Sequence, residues 1–549
     1  MTTPAPGAQR ERSPWLVLFV LCLGFFMILL DTTIVNIAIP DMGTDLDASL
    51  DQILWVINAY VLVYAVLLIT AGRLGDLWGP KRMFIAGLVV FTLASAACGF
   101  ARNPEQLIIG RIVQGVGGAL LTPQTLSVLT VIFPPEKRGA AFGIWGGVAG
   151  VATIAGPTLG GFLVTNFGWE MIFFVNLPVG ILTVALAAWA MPGLKLNRRH
   201  RLDTLGTLLA TVGLFLVVYG LIEGEPHHWG KVWGPVTIPE VIGAGVLVLI
   251  AFGWHQYATR GGEPLVPFSI FADRNYSLMN WVSAAIAFGM LGLFLPLVIF
   301  LQSVVGLSAF HAGVATAPMS LVSMVIAPVA GRLADRLGGK WILFAGLSLW
   351  TAGMGMVVWL SRQDAGQWTL LPGLLVAGFG LGFTFAPLST IAMRNIAPRV
   401  AGAASGVLNT TRQLGGVIGS AAVGALLQVQ LSDHLRDSAR EHAAALPPQV
   451  RDQFVAGFSN AASGSLHIGA GQTGVQLPPD VPAQVRPAIE AAAAATFHEA
   501  FTAAMRTTLI LPLAVLAVAA LSCLLIRRRR LDLGVPGTAE PEPAAAAAR

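Results

Sequence analysis

Fourteen apolar runs long enough to cross a lipid bilayer restrict the fold of this chain more than any other feature. A membrane-spanning helix needs about 20 predominantly apolar residues. Charged residues make up only 11% of the chain, against about 25% in soluble domains, so a soluble multidomain enzyme is disfavoured. The sequence therefore predicts an all-α polytopic membrane protein with 14 transmembrane helices. We number these runs as spans 1 to 14, and they cover residues 15–39, 52–72, 83–101, 106–130, 139–165, 170–191, 203–222, 237–257, 275–302, 311–331, 341–361, 367–393, 401–429 and 505–526.

Lys and Arg are concentrated in every second connection between the spans, on one side of the membrane. Cytoplasmic loops are enriched in Lys and Arg, and here both residue types occupy the connections that follow even-numbered spans, for example Lys81 and Arg82. The short connections on the opposite side hold only Arg102, Lys231 and Arg362. Both termini are therefore predicted to lie in the cytoplasm, which requires an even number of spans.

Two segments of the chain recur in the same order, which indicates an internal duplication. The segment "GRLGDLWGPKR" (72–82) is repeated as "GRLADRLGGKW" (331–341), and "GAAFG" (139–143) is repeated as "GAASG" (402–406). In a plain duplication of six helices, each repeated segment would recur six spans later. Here each recurs eight spans later, so spans 7 and 8 are inserted between two six-helix bundles. Two parallel six-helix repeats with a binding site between them are typical of secondary transporters. The predicted organisation is a cytoplasmic N-terminus (1–14), an N-terminal bundle (15–191), two inserted helices with their loops (192–273), a C-terminal bundle (274–529) with an external loop (430–504), and a disordered cytoplasmic tail (530–549).

The external loop 430–504 interrupts the rhythm of the spans. It is rich in Ala, Pro, Gln and Gly, and the stretch "PAQVRPAIEAAAAATFHEAF" has helical character. We expect a partly ordered external cap, and a role as a gate or as a partner-binding surface remains an alternative.

The repeated loops after spans 2 and 10 form a candidate cytoplasmic latch. Glycine permits close helix approach and tight turns, and Asp76 is placed to cap span 3 or to pair with a basic residue of a neighbouring helix. The alternative is a charged loop that only sets topology, but the paired copy in the second half favours the latch. The candidate residues are Gly72, Asp76, Gly79, Arg82, Arg332, Asp335 and Arg336.

Asp31 is the only acid well inside any predicted span, and Arg111 is its nearest plausible partner. A charge at the bilayer centre costs about 2.5–3.5 kcal/mol on insertion scales, and arginine cannot discharge itself by losing a proton. Counted from the outer ends of spans 1 and 4, Asp31 lies roughly 13 Å deep and Arg111 roughly 8 Å at about 1.5 Å per residue, a gap that a long arginine side chain can span. Gln114 follows Arg111 on the same helical stripe. Intramembrane ionisable groups are functional by default, although a static structural ion pair is the alternative.

Two further spans carry small or polar residues in a pattern. In span 5, "GPTLGG" supplies Gly156, Pro157, Gly160 and Gly161, which permit a kink and close packing. Span 13 places Asn409 and Arg412 on one stripe, together with Ser405 and Gly416. Arg412 has no acid partner within the predicted spans, so it faces a water-filled cavity, an anionic substrate group or the interface between the halves.

These motifs together resemble the major facilitator superfamily and, within it, the fourteen-helix drug–proton antiporters. "GRLGDLWGPKR" is similar to the loop signature of the superfamily, whereas "LLDTTIVNIAIP" in span 1 and "GPTLGG" in span 5 resemble the more diagnostic signatures of its exporters. The resemblance implies export of drugs, antibiotics or other small amphipathic compounds in exchange for protons, by alternating access and without a cofactor. It also implies a bacterial cytoplasmic membrane, a monomer, and proton coupling by Asp31 and Arg111.

The chain departs from the family pattern in two places. Exporters of this family often have Trp-Arg after span 5, where this chain has Trp169-Glu170. No second acid lies deep in spans 9 to 14, which argues against obligate dications and favours neutral, monocationic or anionic substrates.

The substrate cavity is expected to be apolar with few polar groups. Lipid-facing or packing roles are the alternatives for each of its candidate residues. The candidates are Asn36, Trp55, Asn58, Tyr60, Gln114, Phe288, Phe294, Gln302, Asn409 and Arg412.

Other functions fit the sequence less well. An importer of the same fold and an exporter of lipid or cell-envelope precursors remain alternatives. A membrane-embedded enzyme is disfavoured, because the nine histidines fall in loops, at span edges or in the external segment, with no metal-binding or catalytic cluster within a span. Neither a metal nor a nucleic-acid partner is predicted.

Overall fold

The fold is almost entirely helical, as the sequence predicts. The computed structural model describes residues 13–193, 203–224, 227, 229–259, 264–444, 446–463 and 486–527. Most of the predicted N-terminal segment, the basic connection after span 6 and the predicted cytoplasmic tail lie outside the described residues.

Nineteen α-helices and one hairpin of two short strands make up the described part of the chain. The antiparallel hairpin pairs β1 (Lys231–Trp233) with β2 (Val236–Thr237), and a π-helical turn (Phe300–Val304) extends α11. The helices are α1 (Pro14–Ile34), α2 (Ile39–Asp45), α3 (Leu50–Trp78), α4 (Pro80–Gly99), α5 (Pro104–Ile132), α6 (Pro135–Phe167), α7 (Met171–Phe174), α8 (Asn176–Ala190), α9 (Thr204–Glu223), α10 (Ile238–Ala258), α11 (Arg274–Ile299), α12 (Ala309–Leu337), α13 (Gly339–Leu360), α14 (Leu371–Gly382), α15 (Phe385–Met393), α16 (Ala401–Ala443), α17 (Pro448–Ser463), α18 (Arg486–Thr508) and α19 (Ile510–Ser522).

Thirteen helical segments in the described part are long and apolar enough to cross a membrane. The glycine-rich α6, with 33 residues, packs between α1 and α12 and is the fourteenth long helix of the arrangement. The predicted all-α fold is therefore confirmed, and its fourteen spans agree with the observed helices.

The external region differs from the prediction in its extent. Span 13 was expected to end at residue 429, but α16 continues to Ala443, and span 14 is preceded by α18 from Arg486. Together with α17, these extensions form a helical cap whose inner face buries Leu435, Phe458 and Phe497. Alanine is the strongest helix former, so these alanine-rich stretches remain helical although their polar residues lower the hydropathy below that of a membrane span.

The helices form two bundles that correspond to the two halves of the duplication. The N-terminal bundle contains α1 and α3 to α8, and the C-terminal bundle contains α11 to α16, α18 and α19. The bundles meet mainly along two helix pairs, α6 with α12 and α3 with α16, with further contacts of α6 with α15 and of α5 with α16. Helices α9 and α10 pair with each other, and α9 packs on both α3 and α16, so the inserted pair lies along one seam between the halves.

The two halves use matching residues at their repeated turns. Gly79 (φ 92°) joins α3 to α4, and Gly338 (φ 82°) joins α12 to α13; glycine adopts this left-handed region without strain. Just beyond each turn, a lysine ammonium caps the C-terminal end of the last helix of its bundle. Lys81 donates to carbonyls at the end of α8, and Lys340 donates to carbonyls after α19. Cations are favoured at helix C-termini, so the duplication preserves a capping interaction.

Asp203 fixes the start of the inserted helix pair. Its carboxylate accepts hydrogen bonds from the Gly206 backbone N–H (2.7 Å), from Gln256 Nε2 (2.6 Å) and, at 3.0 Å, from His255 Nε2. Partial burial opposes ionisation, but these hydrogen bonds outweigh it and hold the pKa of Asp203 below its ordinary value. The carboxylate therefore joins α9 to the end of α10.

Candidate functional site

Asp31 and Arg111 form a fully buried ion pair inside the N-terminal bundle. Arg111 Nη1 lies 2.6 Å from Asp31 Oδ2, and the two side chains are 1% and 0% exposed. Asp31 belongs to α1 and Arg111 to α5, so the pair joins two helices of the bundle. The pairing predicted from the sequence is present in the structure.

Gln114 and the backbone of α3 complete the network around the pair. Gln114 Nε2 donates to Asp31 Oδ1 (2.8 Å), and Arg111 Nη1 donates to Gln114 Oε1 (2.7 Å). Arg111 Nε donates to the Val56 carbonyl (3.0 Å), and its guanidinium lies 4.3 Å from the centroid of the Tyr60 ring. Both carboxylate oxygens therefore have a donor, which offsets part of the cost of burying the charges.

This arrangement leaves the buried Asp31 carboxylate dependent on Arg111 for its counter-charge. A nearby cation favours a charged carboxylate, whereas burial without one favours the protonated form. Removing one partner of a buried pair typically costs about 3–5 kcal/mol, because the other charge is left uncompensated. Asp31 and Arg111 therefore stabilise each other inside the bundle.

The glycine motif of α6 supports the part of α1 that carries Asp31. A Cβ atom at Gly156 would collide with the Thr33 hydroxyl, and one at Gly160 would lie 2.7 Å from Ile34 Cγ1. Gly161, by contrast, has open space around its Cα. The backbone of α6 remains helical through Pro157. Two of the three glycines thus set the distance between α6 and α1.

We expect Gly156→Ala to lower both transport and thermal stability, because an added methyl group in a packed contact typically costs about 1–3 kcal/mol. Gly161→Ala in the same helix is the matched control and should leave both properties unchanged. Unfolding followed by fluorescence in detergent, together with efflux rates, measures the effect. Equal behaviour of the two variants would contradict the packing role.

Asp76 connects the two bundles at the C-terminal end of α3. Its carboxylate is 2% exposed and accepts hydrogen bonds from the backbone N–H groups of Gly402 (2.8 Å) and Ala403 (2.8 Å), in the first turn of α16. Anions are stabilised at helix N-termini. The close approach requires glycine, because a Cβ at Gly72 would collide with the Gly402 carbonyl oxygen.

Asp335 makes the matching contact from the C-terminal bundle. It accepts hydrogen bonds from the backbone N–H groups of Gly139 (2.8 Å) and Ala140 (3.0 Å) near the start of α6. A Cβ at Gly331 would collide with the Gly139 carbonyl oxygen. We call these two reciprocal contacts the cytoplasmic latch, after the side on which the charge pattern of the sequence places them. In this structure they hold these ends of the two bundles together.

The basic residues of the predicted latch loops do not take part in these contacts. Arg82, Arg332 and Arg336 are exposed. The partners of the two acids are instead backbone amides of the opposite bundle, which differs from both partners proposed for Asp76 from the sequence. The repeated "GAAFG" and "GAASG" segments carry those amides, so the signal for the partners was present in the repeats.

A narrow cavity lies between the bundles. Its lining includes Asn409 and Arg412 of α16, two of the residues proposed from the sequence, and Trp145 of α6. Trp145 is 2% exposed and stacks on Phe25 of α1, with ring centroids 4.3 Å apart. The remaining lining residues are Leu126, Ser283, Ile286, Phe385, Leu388, Ser389 and Leu408.

Other cavity candidates occupy different positions. Trp55 contacts the inserted helix α9, with its ring centroid 5.9 Å from that of Tyr219, and Tyr60 belongs to the Asp31 network. Asn36 is exposed and donates to the Thr32 carbonyl. The half-buried Asn58, Phe288, Phe294 and Gln302 are not among the residues that line the cavity.

Sequence reasoning missed Trp145, Ser283 and Ser389 as lining residues. A single tryptophan or serine in an apolar run carries no positional signal, because the facing helices come from distant parts of the chain. No cluster of His, Cys, Asp and Glu suited to a metal ion occurs in the described part of the protein.

Comparison with known proteins places the chain in a family. The profile of the Major Facilitator Superfamily matches residues 21–420, which is most of the chain. An uncharacterized MFS-type transporter of Mycobacterium tuberculosis, Rv1250, is 41% identical over 83% of this chain and 79% of its own length.

Two relatives from Streptomyces have more informative names. A protein of Streptomyces coelicolor named as a probable actinorhodin transporter is 34% identical, covering 94% of this chain and 91% of its own length. The tetracenomycin C resistance and export protein of Streptomyces glaucescens is also 34% identical, over 84% of both chains. The chain therefore belongs to the Major Facilitator Superfamily, in the branch that contains drug-efflux transporters, and is a multi-pass membrane transporter rather than an enzyme.

Proposed function

We propose that this transporter exports small amphipathic compounds, including antibiotics, in exchange for protons. The buried network of Asp31, Arg111 and Gln114 is the observation that carries this proposal. In this network the Asp31 carboxylate is the titratable group, and the Arg111 guanidinium is the cation that competes with a proton for it. Asp31 belongs to α1, which packs against α6 at the seam between the bundles. The names of the relatives support export of antibiotics as the physiological role.

Proton binding and substrate release are coupled through the ion pair in this mechanism. A proton that reaches Asp31 from outside displaces Arg111, and substrate leaves toward the outer side. After the bundles reorient, Asp31 releases its proton to the cytoplasm and the pair forms again. Each proton that moves inward through 100 mV supplies about 2.3 kcal/mol, which corresponds to about 1.7 decades of substrate gradient at about 1.4 kcal/mol per decade.

The cytoplasmic latch supplies the alternation of access in this proposal. In this proposal, the side held closed by the contacts of Asp76 and Asp335 with the opposite bundle is the cytoplasmic side. Release of both contacts would open the cavity toward the cytoplasm. The protein is proposed to act as a monomer in a bacterial cytoplasmic membrane, with both termini in the cytoplasm.

Proteoliposomes that contain the purified protein and a pH-sensitive dye test the antiport directly. With an imposed proton gradient, addition of a transported compound should accelerate the dissipation of the gradient, and the compound should move against the proton flux. Transport that is independent of the gradient, or that runs with the protons, would contradict antiport. Liposomes without protein provide the background rate.

A further inference from the structure

The charge of the side chains that line the cavity between the bundles favours one class of substrate. This inference rests on the proposed function as an exporter. Arg412 is the only formally charged residue among those that line the cavity. The carboxylate of Asp31 does not offset this charge, because it is already paired with Arg111. In the state described here the cavity is therefore electropositive.

Arg412 is held in position but not neutralised. Its Nη2 donates to Asn409 Oδ1 (2.9 Å), and Asn409 Nδ2 donates to the Ser405 carbonyl (2.9 Å) one turn earlier on α16. The Tyr64 side chain of the other bundle, whose hydroxyl donates to Thr122 Oγ1 (3.1 Å), is its neighbour across the seam. No carboxylate of the described residues lies within ion-pair distance of Arg412. The guanidinium carries five N–H donors, so several remain for a ligand.

A second donor on the cavity wall is without an acceptor. The indole Nε1–H of Trp145 is buried and has no hydrogen-bond partner among the described residues. An unpaired buried donor costs about 1–3 kcal/mol, and a ligand that supplies an acceptor removes this cost. The two donors come from different bundles, so a ligand bound to both would bridge the halves.

We propose that Arg412 selects the substrate, and that the cavity takes aromatic compounds that carry an anionic group such as a carboxylate or an ionised phenol. The anionic oxygen binds Arg412 and accepts from Trp145 Nε1–H. The ring system packs against Phe385 and the leucine side chains of the wall, and Ser283 and Ser389 offer neutral hydrogen bonds. Pockets for drug-sized ligands measure about 300–1,000 Å³, whereas this cavity has room for about one water molecule in the state described here. The bundles therefore have to move apart before a ligand of this size can bind.

Binding of three xanthene dyes of different charge tests this assignment without a proton gradient. Fluorescein is anionic, rhodamine B is zwitterionic and rhodamine 6G is cationic, and anisotropy measures their affinity for the protein in nanodiscs. We expect the wild type to bind fluorescein at least tenfold more tightly than rhodamine 6G. Arg412→Gln should weaken fluorescein binding at least tenfold and leave rhodamine 6G binding equal or tighter.

Three further variants separate charge from folding. Arg412→Lys keeps the positive charge and should retain most of the preference, whereas Trp145→Phe keeps a ring without the donor and should weaken fluorescein binding several-fold. Arg362→Gln changes an exposed arginine of a loop and is the control. Wild-type preference for rhodamine 6G, absence of saturable fluorescein binding, or unchanged fluorescein affinity in Arg412→Gln would each overturn the proposal. Failure of proton coupling in proteoliposomes would leave these affinities unaffected, so the two proposals fail separately.

Discussion

Asp31→Asn is expected to abolish proton-driven efflux while the protein still folds and binds substrate. Asparagine cannot bind and release a proton, but its side-chain oxygen can still accept a hydrogen bond from Arg111. Because the substitution removes the only acid of the ion pair, we expect the rate of gradient-driven transport to fall at least a hundredfold. Efflux from proteoliposomes with and without an imposed pH gradient measures this loss.

The Asp31→Asn experiment has a matched control variant and a result that would contradict it. Asp364→Asn changes an exposed acid in the connection between α13 and α14 and should transport like the wild type. Substrate binding to Asp31→Asn separates loss of coupling from loss of structure. Arg111 is left without a counter-ion in this variant, so a lower unfolding temperature is also expected. Full gradient-driven efflux by Asp31→Asn would exclude this residue as the proton site.

Removing both acids of the cytoplasmic latch should shift the protein toward a state that is open to the cytoplasm. Each carboxylate accepts two backbone hydrogen bonds, and bonds to charged groups contribute about 1.5–3 kcal/mol each. We expect the double variant Asp76→Asn with Asp335→Asn to change the conformational equilibrium by about a hundredfold or more, since about 1.4 kcal/mol corresponds to a factor of ten. Asp76→Asn alone should have the larger effect, because Asp76 is buried and Asp335 is only half-buried.

Electron–electron distance measurements between spin labels can follow this shift. Arg82→Cys and Arg394→Cys place labels on exposed positions of the two bundles, after the buried cysteines Cys22, Cys98 and Cys523 have been replaced by alanine. Longer distances should dominate in the double variant. Asp364→Asn serves as the control, and an unchanged distance distribution in the double variant would refute the latch.

The sequence predicted the elements that depend on local patterns. Apolar length defined the spans, the repeats located the inserted helices, and the rarity of buried charge singled out Asp31 and Arg111. Each of these features can be recognised without knowing which helices face each other, because the cost of burying charge or exposing apolar surface acts on each segment separately.

The features that sequence reasoning missed depend on contacts between distant segments. Asp76 binds backbone amides 326 positions later, and a backbone amide has no residue type that would identify it. Trp145 lines the cavity because α6 meets α12 and α15 along the seam, which apolar periodicity does not specify. Likewise, Trp55 and Asn58 lie on one face of α3 that was expected to line the cavity. In the structure, however, Trp55 packs against the inserted helix α9.

The length of α16 has a mechanical consequence. Its 43 residues correspond to about 64 Å at 1.5 Å per residue, roughly twice the hydrocarbon thickness of a bilayer. One end carries the amides that bind Asp76, and the other end forms part of the external cap. If α16 tilts as a rigid rod by about 10° about its latch end, its opposite end moves by about 11 Å. A rigid-body tilt of α16 would therefore move the latch and the cap together.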